Sequence, residues 1–141
     1  MSRENVERHR RFVEAFNARD IEAVLAYCDP AIEFHSAFAA VGGAVYHGHA
    51  GVRTWHRDFE EIWGDKVRVE VEAYFDLGER VLAFYVLHGR GRHSGAEVAM
   101  ENALVATWRG GLIAHFHVYA HREDALADLG LSEDALEPIA P

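Results

Sequence analysis

The sequence predicts an α+β fold, with three N-terminal helices followed by a mostly antiparallel sheet. Three observations predict it. Apolar residues recur at the helical period through the first part of the chain and at period two through most of the rest. The two kinds of element are segregated rather than alternating, which disfavours a chain of βαβ units. One strand segment is apolar on both faces, so the sheet needs cover on each side.

The elements follow in order. Val6, Phe12, Val13 and Phe16 form an apolar stripe at helical spacing, with Arg and Glu between them. Asp20 is an N-cap candidate for a second, short helix carrying Ile21, Val24 and Leu25, and Pro30 is its expected stop. "AIEFH" (31–35) is a short strand candidate. The glycine-rich connection "VGGAVYHGHAG" (41–51) leads to a third helix with the stripe Val52, Trp55, Phe59 and Ile62, and Gly64 just beyond its end.

The period then changes. "KVRVEVEAYFD" (66–76) sets Val67, Val69, Val71, Ala73 and Phe75 against Lys66, Arg68, Glu70, Glu72 and Asp76. "LGER" is a turn, with Gly78 supplying the permissive backbone. "VLAFYVLHG" (81–89) is the strand with two apolar faces. Leu82, Phe84, Val86 and His88 are expected inward, and Val81, Ala83, Tyr85 and Leu87 outward against a second layer, most simply a second subunit. After the loop "RGRHSG" come the strand "EVAMENALVATW" (97–108), the tight turn "RGG", the strand "LIAHFHVYAH" (112–121) and a short closing helix, "REDALADLG".

Composition narrows the function. The 141 residues suit one domain. Fourteen basic and twenty-three acidic side chains give a formal charge of −9. Nucleic acid and anionic membrane are therefore not expected partners, since both need a positive footprint. The single cysteine, Cys28, excludes an internal disulfide framework, and the acid beside it gives no reason to read it as a nucleophile. The N-terminus has no apolar run of the secretory kind, so a cytoplasmic protein is expected. The H-E-x-x-H, G-x-S-x-G, Walker and C-x-x-C patterns do not occur.

Three stretches carry a family resemblance. They are "ENVERHRRFVEAFNARDIEAVLAYCDPAIEFH", with its helix–Asn-x-x-Asp–helix–Pro–strand order, "HGHAGVRTW" at the third helix, and "VYAHREDALADLGL" near the end. Over nearly its whole length the chain resembles the SnoaL-like, nuclear-transport-factor-two-like superfamily, and its tail resembles small actinobacterial members. The resemblance implies a curved sheet closed into a cone-shaped α+β barrel. It also implies a single domain over 1–141, with 1–5 and 131–141 as peripheral tails, and a mostly apolar pocket between helices and concave sheet. Isomerases, polyketide cyclases, epoxide hydrolases, dehydratases and non-catalytic binding modules share this fold, which does not choose among them.

Matching the ketosteroid-isomerase-like opening puts His35 where those relatives keep an aspartate base. Phe12 stands where they keep the oxyanion tyrosine. Leu104 falls near the position of their protonated acid, with Asn102 two residues earlier on the same face. Steroid isomerisation by that mechanism is therefore not expected.

The candidate catalytic residues are His35 as a proton carrier, His88 at the end of an otherwise apolar face, and Asn102 as a donor to a ligand oxygen. Against these stand plain structural roles: a histidine satisfied by one carbonyl, or an amide pinned to backbone. Glu33 is placed to orient His35, or to serve as a solvated surface charge. Tyr27 is placed to reach the pocket with its hydroxyl. Phe12, Phe16, Trp55, Phe59, Phe84, Met100, Leu104, Phe116 and Val118 read first as core and also as pocket wall.

"HFH" raises a metal reading, since His115 and His117 project from one strand face about 7 Å apart. Parity argues against a pocket role for the pair. Leu112, Ala114, Phe116 and Val118 are the apolar set, so the histidines fall on the outer face. There they join Tyr85 and Tyr119 as an expected homodimer surface. No metal and no cofactor is expected. The functional expectation is a small apolar molecule held in the cone, with proton transfer of the isomerase, cyclase or dehydratase type through His35. The alternatives are a non-catalytic binding module and, behind it, a metal site built from the histidines.

Overall fold

The computed structural model describes residues 2–37, 44–64, 66–91 and 93–141. In chain order the elements are α1 (Ser2–Asn17), α2 (Ile21–Ala26), β1 (Cys28–Ser36), β2 (Ala44–His47), α3 (Gly48–Trp63), β3 (Arg68–Leu77), β4 (Arg80–Arg90), β5 (Glu97–Arg109), β6 (Leu112–Tyr119) and α4 (Arg122–Leu129), followed by a 3₁₀ turn at Glu133–Ala135. One sheet runs β2-β1-β6-β5-β4-β3. The β1–β6 pair is parallel and the others are antiparallel. The α+β class is as expected. The strand β2 lies inside the stretch read as a connection; residues 41–43 of that stretch lie outside the described residues, as does Arg92 of the loop "RGRHSG".

Local chemistry explains the helix boundaries. Asp20 accepts a hydrogen bond from the Ala23 amide at 3.1 Å and caps α2. That helix ends at Ala26, ahead of Pro30, which instead lies in β1. The β1–β6 register shifts between Cys28 and Glu33, so the proline sits where no regular ladder demands its missing N–H. Asn17, the other half of the Asn-x-x-Asp pattern, clasps the edge strand β3. Its amide donates to the Val69 carbonyl at 2.9 Å, and its oxygen accepts from the Val69 amide at 2.8 Å. At the start of α3, Gly48 has φ +68°, and a Cβ there would lie 3.0 Å from the Pro30 carbonyl oxygen. Ile62 is exposed rather than part of the α3 stripe; Trp63 packs on the core instead.

Two apolar layers sandwich the sheet. The inner one joins Val6, Phe12 and Phe16 of α1, Val52 and Phe59 of α3, and Val81, Ala83, Tyr85 and Leu87 of β4. The outer one joins Phe75, Leu82, Phe84, Ala103 and Val105 to Ala125, Leu126 and Leu129 of α4 and to Leu136. The two faces of β4 are thus the reverse of the expectation: Tyr85 points inward, and Phe84 with His88 outward. On the outer side, residues of α4 and Leu136 complete this second cluster from within the chain itself.

A bulge in β3 between Val71 and Ala73 shifts the alternation by one residue. Val69 and Val71 therefore join the inner core, as does Tyr74, while Ala73 and Phe75 join the outer one. The expected single face Val67 to Phe75 is split for this reason. Within residues 131–141, expected as a peripheral tail, Ile139 exchanges two backbone hydrogen bonds with Tyr74, at 2.7 and 2.9 Å, along the outer edge of β3. Among the described residues no helix is long and apolar enough to cross a membrane.

Candidate functional site

α1 packs on β3 and α3 on β1 and β2, and between these helices and the inner sheet face a cavity opens. Phe12, Val13 and Phe16 of α1 and Trp55 and Phe59 of α3 form one wall. The sheet contributes Phe34 and Ser36 of β1, Val69 of β3, Tyr85 and Leu87 of β4, Leu104 of β5, and Phe116 and Val118 of β6.

The wall is aromatic. Phe34 stacks on Phe116 with centroids 4.9 Å apart and leans on Trp55 at 4.7 Å. Phe16, Phe59 and Trp55 make a second group, with centroids 5.2–5.9 Å apart. Such pairs are rigid and leave one flat face for a guest.

Among the described residues, Ser36 and Tyr85 are the lining residues that carry a hydroxyl. Burial pushes the Tyr85 phenol above its ordinary range, so the group stays protonated and acts as a donor. Asn102 is the cross-strand neighbour of Tyr85 and is 1% exposed. Its amide nitrogen donates to the Ala120 carbonyl at 3.0 Å, and among the described residues its side-chain oxygen has no partner. Arg122 secures the backbone behind both residues, donating to the carbonyls of Tyr85 (3.0 Å) and Asn102 (3.2 Å).

The residues singled out from the sequence divide by strand parity. Phe12, Phe16, Trp55, Phe59, Leu104, Phe116 and Val118 line the cavity. Tyr27 and Met100 pack against the inner core but outside the lining; Tyr27 meets Phe12 and Trp108 edge to face. Asn102 is on the inner face without reaching the lining, its amide held by backbone.

His35 does not open into the cavity. Ile32, Phe34 and Ser36 are the buried alternates of β1, so Glu33 and His35 project from the outer face. There His35 Nε2 lies 3.0 Å from a Glu33 carboxylate oxygen. His88 is also on the outer face, 2.8 Å from Glu70. Phe84 belongs to the outer core, under the Arg122 guanidinium. Tyr85 is buried inward and is no part of an outer surface, whereas His115, His117 and Tyr119 do lie outside. Tyr119 donates to Asp128 of α4 at 2.8 Å. Cys28 is buried, and burial pushes its thiol up to about 12, which leaves it inert.

Sequence reasoning missed Val13, Phe34, Ser36, Val69, Tyr85 and Leu87 in the lining. The alternation Ile32, Phe34 against Glu33, His35 was a readable signal for β1. It also missed His9, which stands on the α1 stripe between Val6 and Phe12. His9 is fully buried, and desolvation lowers its pKa to about 3. Its ring lies parallel to Phe116 at 6.2 Å and meets Phe12, Tyr74 and Trp108. Among the described residues neither of its nitrogens has a hydrogen-bond partner.

Comparison with known proteins places this geometry. Residues 9–116 match the family described as a SnoaL-like domain. A nuclear-transport-factor-two-like protein of unknown function from Burkholderia pseudomallei superposes with a TM-score of 0.76 at 20% identity, over 87% of this chain and 95% of that one. TerC, co-crystallised with polyporic acid, gives 0.73 at 22% identity, over 89% and 96%. A protein of ketosteroid isomerase-like fold from Catenulispora acidiphila, in complex with trimethylamine, gives 0.72 at 19% identity, over 91% and 95%. At these identities the likeness is one of fold. No curated protein sequence matches at a significant level.

Proposed function

The chain belongs to the SnoaL-like domain family, and from that premise we propose that its cone binds one small, flat, largely apolar molecule carrying a hydrogen-bond acceptor. The observation that carries this reading is the lining itself. Stacked aromatic faces surround a guest, and the protonated Tyr85 hydroxyl supplies a donor in a low-dielectric wall. The reported complexes of two proteins of this fold, with polyporic acid and with trimethylamine, support uptake of small molecules.

Binding without proton transfer is the favoured form of the activity. Among the described residues, no carboxylate or imidazole belongs to the lining, and the base expected from sequence, His35, projects from the other side of the sheet. Tyr85 polarises an acceptor but does not accept a proton near neutral pH.

Calorimetric titration with a paired panel tests the reading: flat aromatic hydrocarbons and their carbonyl-bearing analogues. The carbonyl members should bind more tightly to the wild type. Tyr85→Phe should remove that preference, about tenfold for one neutral hydrogen bond. Leu104→Phe, which fills the cavity, should weaken both sets. Affinities indifferent to both substitutions would place the ligand elsewhere.

A further inference from the structure

The parallel pairing of β1 with β6 builds a second cluster, on the opposite side of the sheet from the cavity. Glu33 faces His115 and His35 faces His117 across the two strands, all four on the outer face. One carboxylate serves two imidazoles. Glu33 Oε1 is 3.0 Å from His35 Nε2, and Oε2 is 3.4 Å from His115 Nε2. The ligand atoms of Glu33, His35 and His115 all lie within 4.8 Å of one another. The His35 ring stacks against His115 and His117, with centroids 5.0 Å away in each case. His117 in turn stacks on Tyr119 at 4.0 Å.

We propose that Glu33, His35 and His115 form a binding site for one divalent transition ion of the zinc class. The donor set is two imidazole nitrogens and one carboxylate oxygen, the mixture that borderline ions such as Zn²⁺ take. Ligands about 2.0–2.2 Å from a tetrahedral ion are roughly 3.3–3.6 Å from each other. Both carboxylate–imidazole separations are already close to that range, and only the two imidazoles must draw together. The donors stand on two paired strands, which hold their Cα positions, so closure needs side-chain rotation alone. Three protein ligands leave a fourth position open toward solvent, because the cluster is partly exposed. Two further imidazoles adjoin the site by register: His47 on β2 opposite Glu33, and His117 on β6 opposite His35.

The site differs from the His115-x-His117 pair visible in the sequence. His115 and His117 alternate with Phe116 along one strand, whereas the proposed site reaches across strands to Glu33 and His35. It is independent of the cone, because the sheet separates the two.

The test is titration of chelator-treated protein with Zn²⁺ alone, read by competition with a chromophoric chelator. Co²⁺ absorption serves as a second readout, since tetrahedral coordination gives intense visible bands. One ion per chain is expected. His35→Ala, His115→Ala and Glu33→Gln should each weaken binding at least tenfold. His88→Ala should leave it unchanged, and circular dichroism should show every variant folded. No uptake by the wild type, or uptake that survives the three substitutions, overturns the proposal. A larger loss in His117→Ala than in His35→Ala overturns the assignment of ligands. Cavity binding should be unaltered in all of these variants, so failure here and failure of the small-molecule reading are separable.

Discussion

Replacing His9 with leucine removes a titratable group from the narrow aromatic cage of Phe12, Tyr74, Trp108 and Phe116 while keeping an apolar side chain of similar bulk. The folded-state pKa is about 3, against 6.5 for the free side chain. Between these values the unfolded chain binds a proton that the folded chain refuses. Stability therefore rises with pH across this window, is complete above about pH 7.5, and falls as pH drops toward 3. The slope is about 1.4 kcal/mol per pH unit, so at pH 5 the wild type gives up about 2 kcal/mol relative to neutral pH through this residue. The leucine variant has no such loss. It also leaves no unpaired ring nitrogen, whose burial costs about 1–3 kcal/mol, so it should be at least as stable as the wild type at pH 7.5. The assay is urea unfolding of both proteins at pH 7.5, 6 and 5, with m-values compared to confirm that the same surface is exposed. All carboxylates and His117 are common to both chains and cancel in the difference. The gap in unfolding free energy should widen by about 2 kcal/mol from pH 7.5 to pH 5. A gap that stays constant with pH would show that His9 titrates normally, and the buried, neutral imidazole would be wrong.

Three further outcomes follow from the geometry. Asn17→Ala removes both amide bonds to the Val69 backbone at an exposed site, and should cost about 1–2 kcal/mol in denaturant unfolding. Hydrogen exchange should rise first at the Val69 amide. Gly89→Ala places a Cβ 2.9 Å from the Trp63 ring; the indole must shift, at a cost of about 1–3 kcal/mol, with a change in tryptophan emission. The Cys28 thiol should resist alkylation at pH 8 in the native state and react fully in denaturant, because burial keeps it protonated. Rapid labelling of the native protein would contradict that placement.

Much of the architecture was legible in local pattern. The stripe on α1, the Asp20 cap, the alternating strands and the "RGG" turn are short-range features, each written within a few residues by the period of the backbone. Parity along β6 alone placed Phe116 and Val118 inward and His115 and His117 outward, as the structure has them. The Asn-x-x-Asp pattern was visible, and its physical work, an edge clasp and a helix cap, needed only the neighbours to be named.

Tertiary structure decided what parity leaves degenerate. A strand apolar on both faces, such as β4, has no local preference for which face meets α1. That choice came from the helix α4 covering Leu82 and Phe84, and it carried Tyr85 into the cavity and His88 out of it. The bulge at Glu72 exchanged the faces of β3 partway along its length, which no alternation rule foresees. His35 was assigned by likeness to relatives, against the alternation of its own strand, and the buried Phe34 shows which of the two governs. The grouping of Glu33 and His35 with His115 depends on a parallel pairing between strands far apart in sequence. Side-chain periodicity is set by each residue's immediate backbone, whereas strand partners and face covering are set by the competition of whole elements for buried area. The first is therefore readable in a sequence, and the second emerges only when the chain is closed.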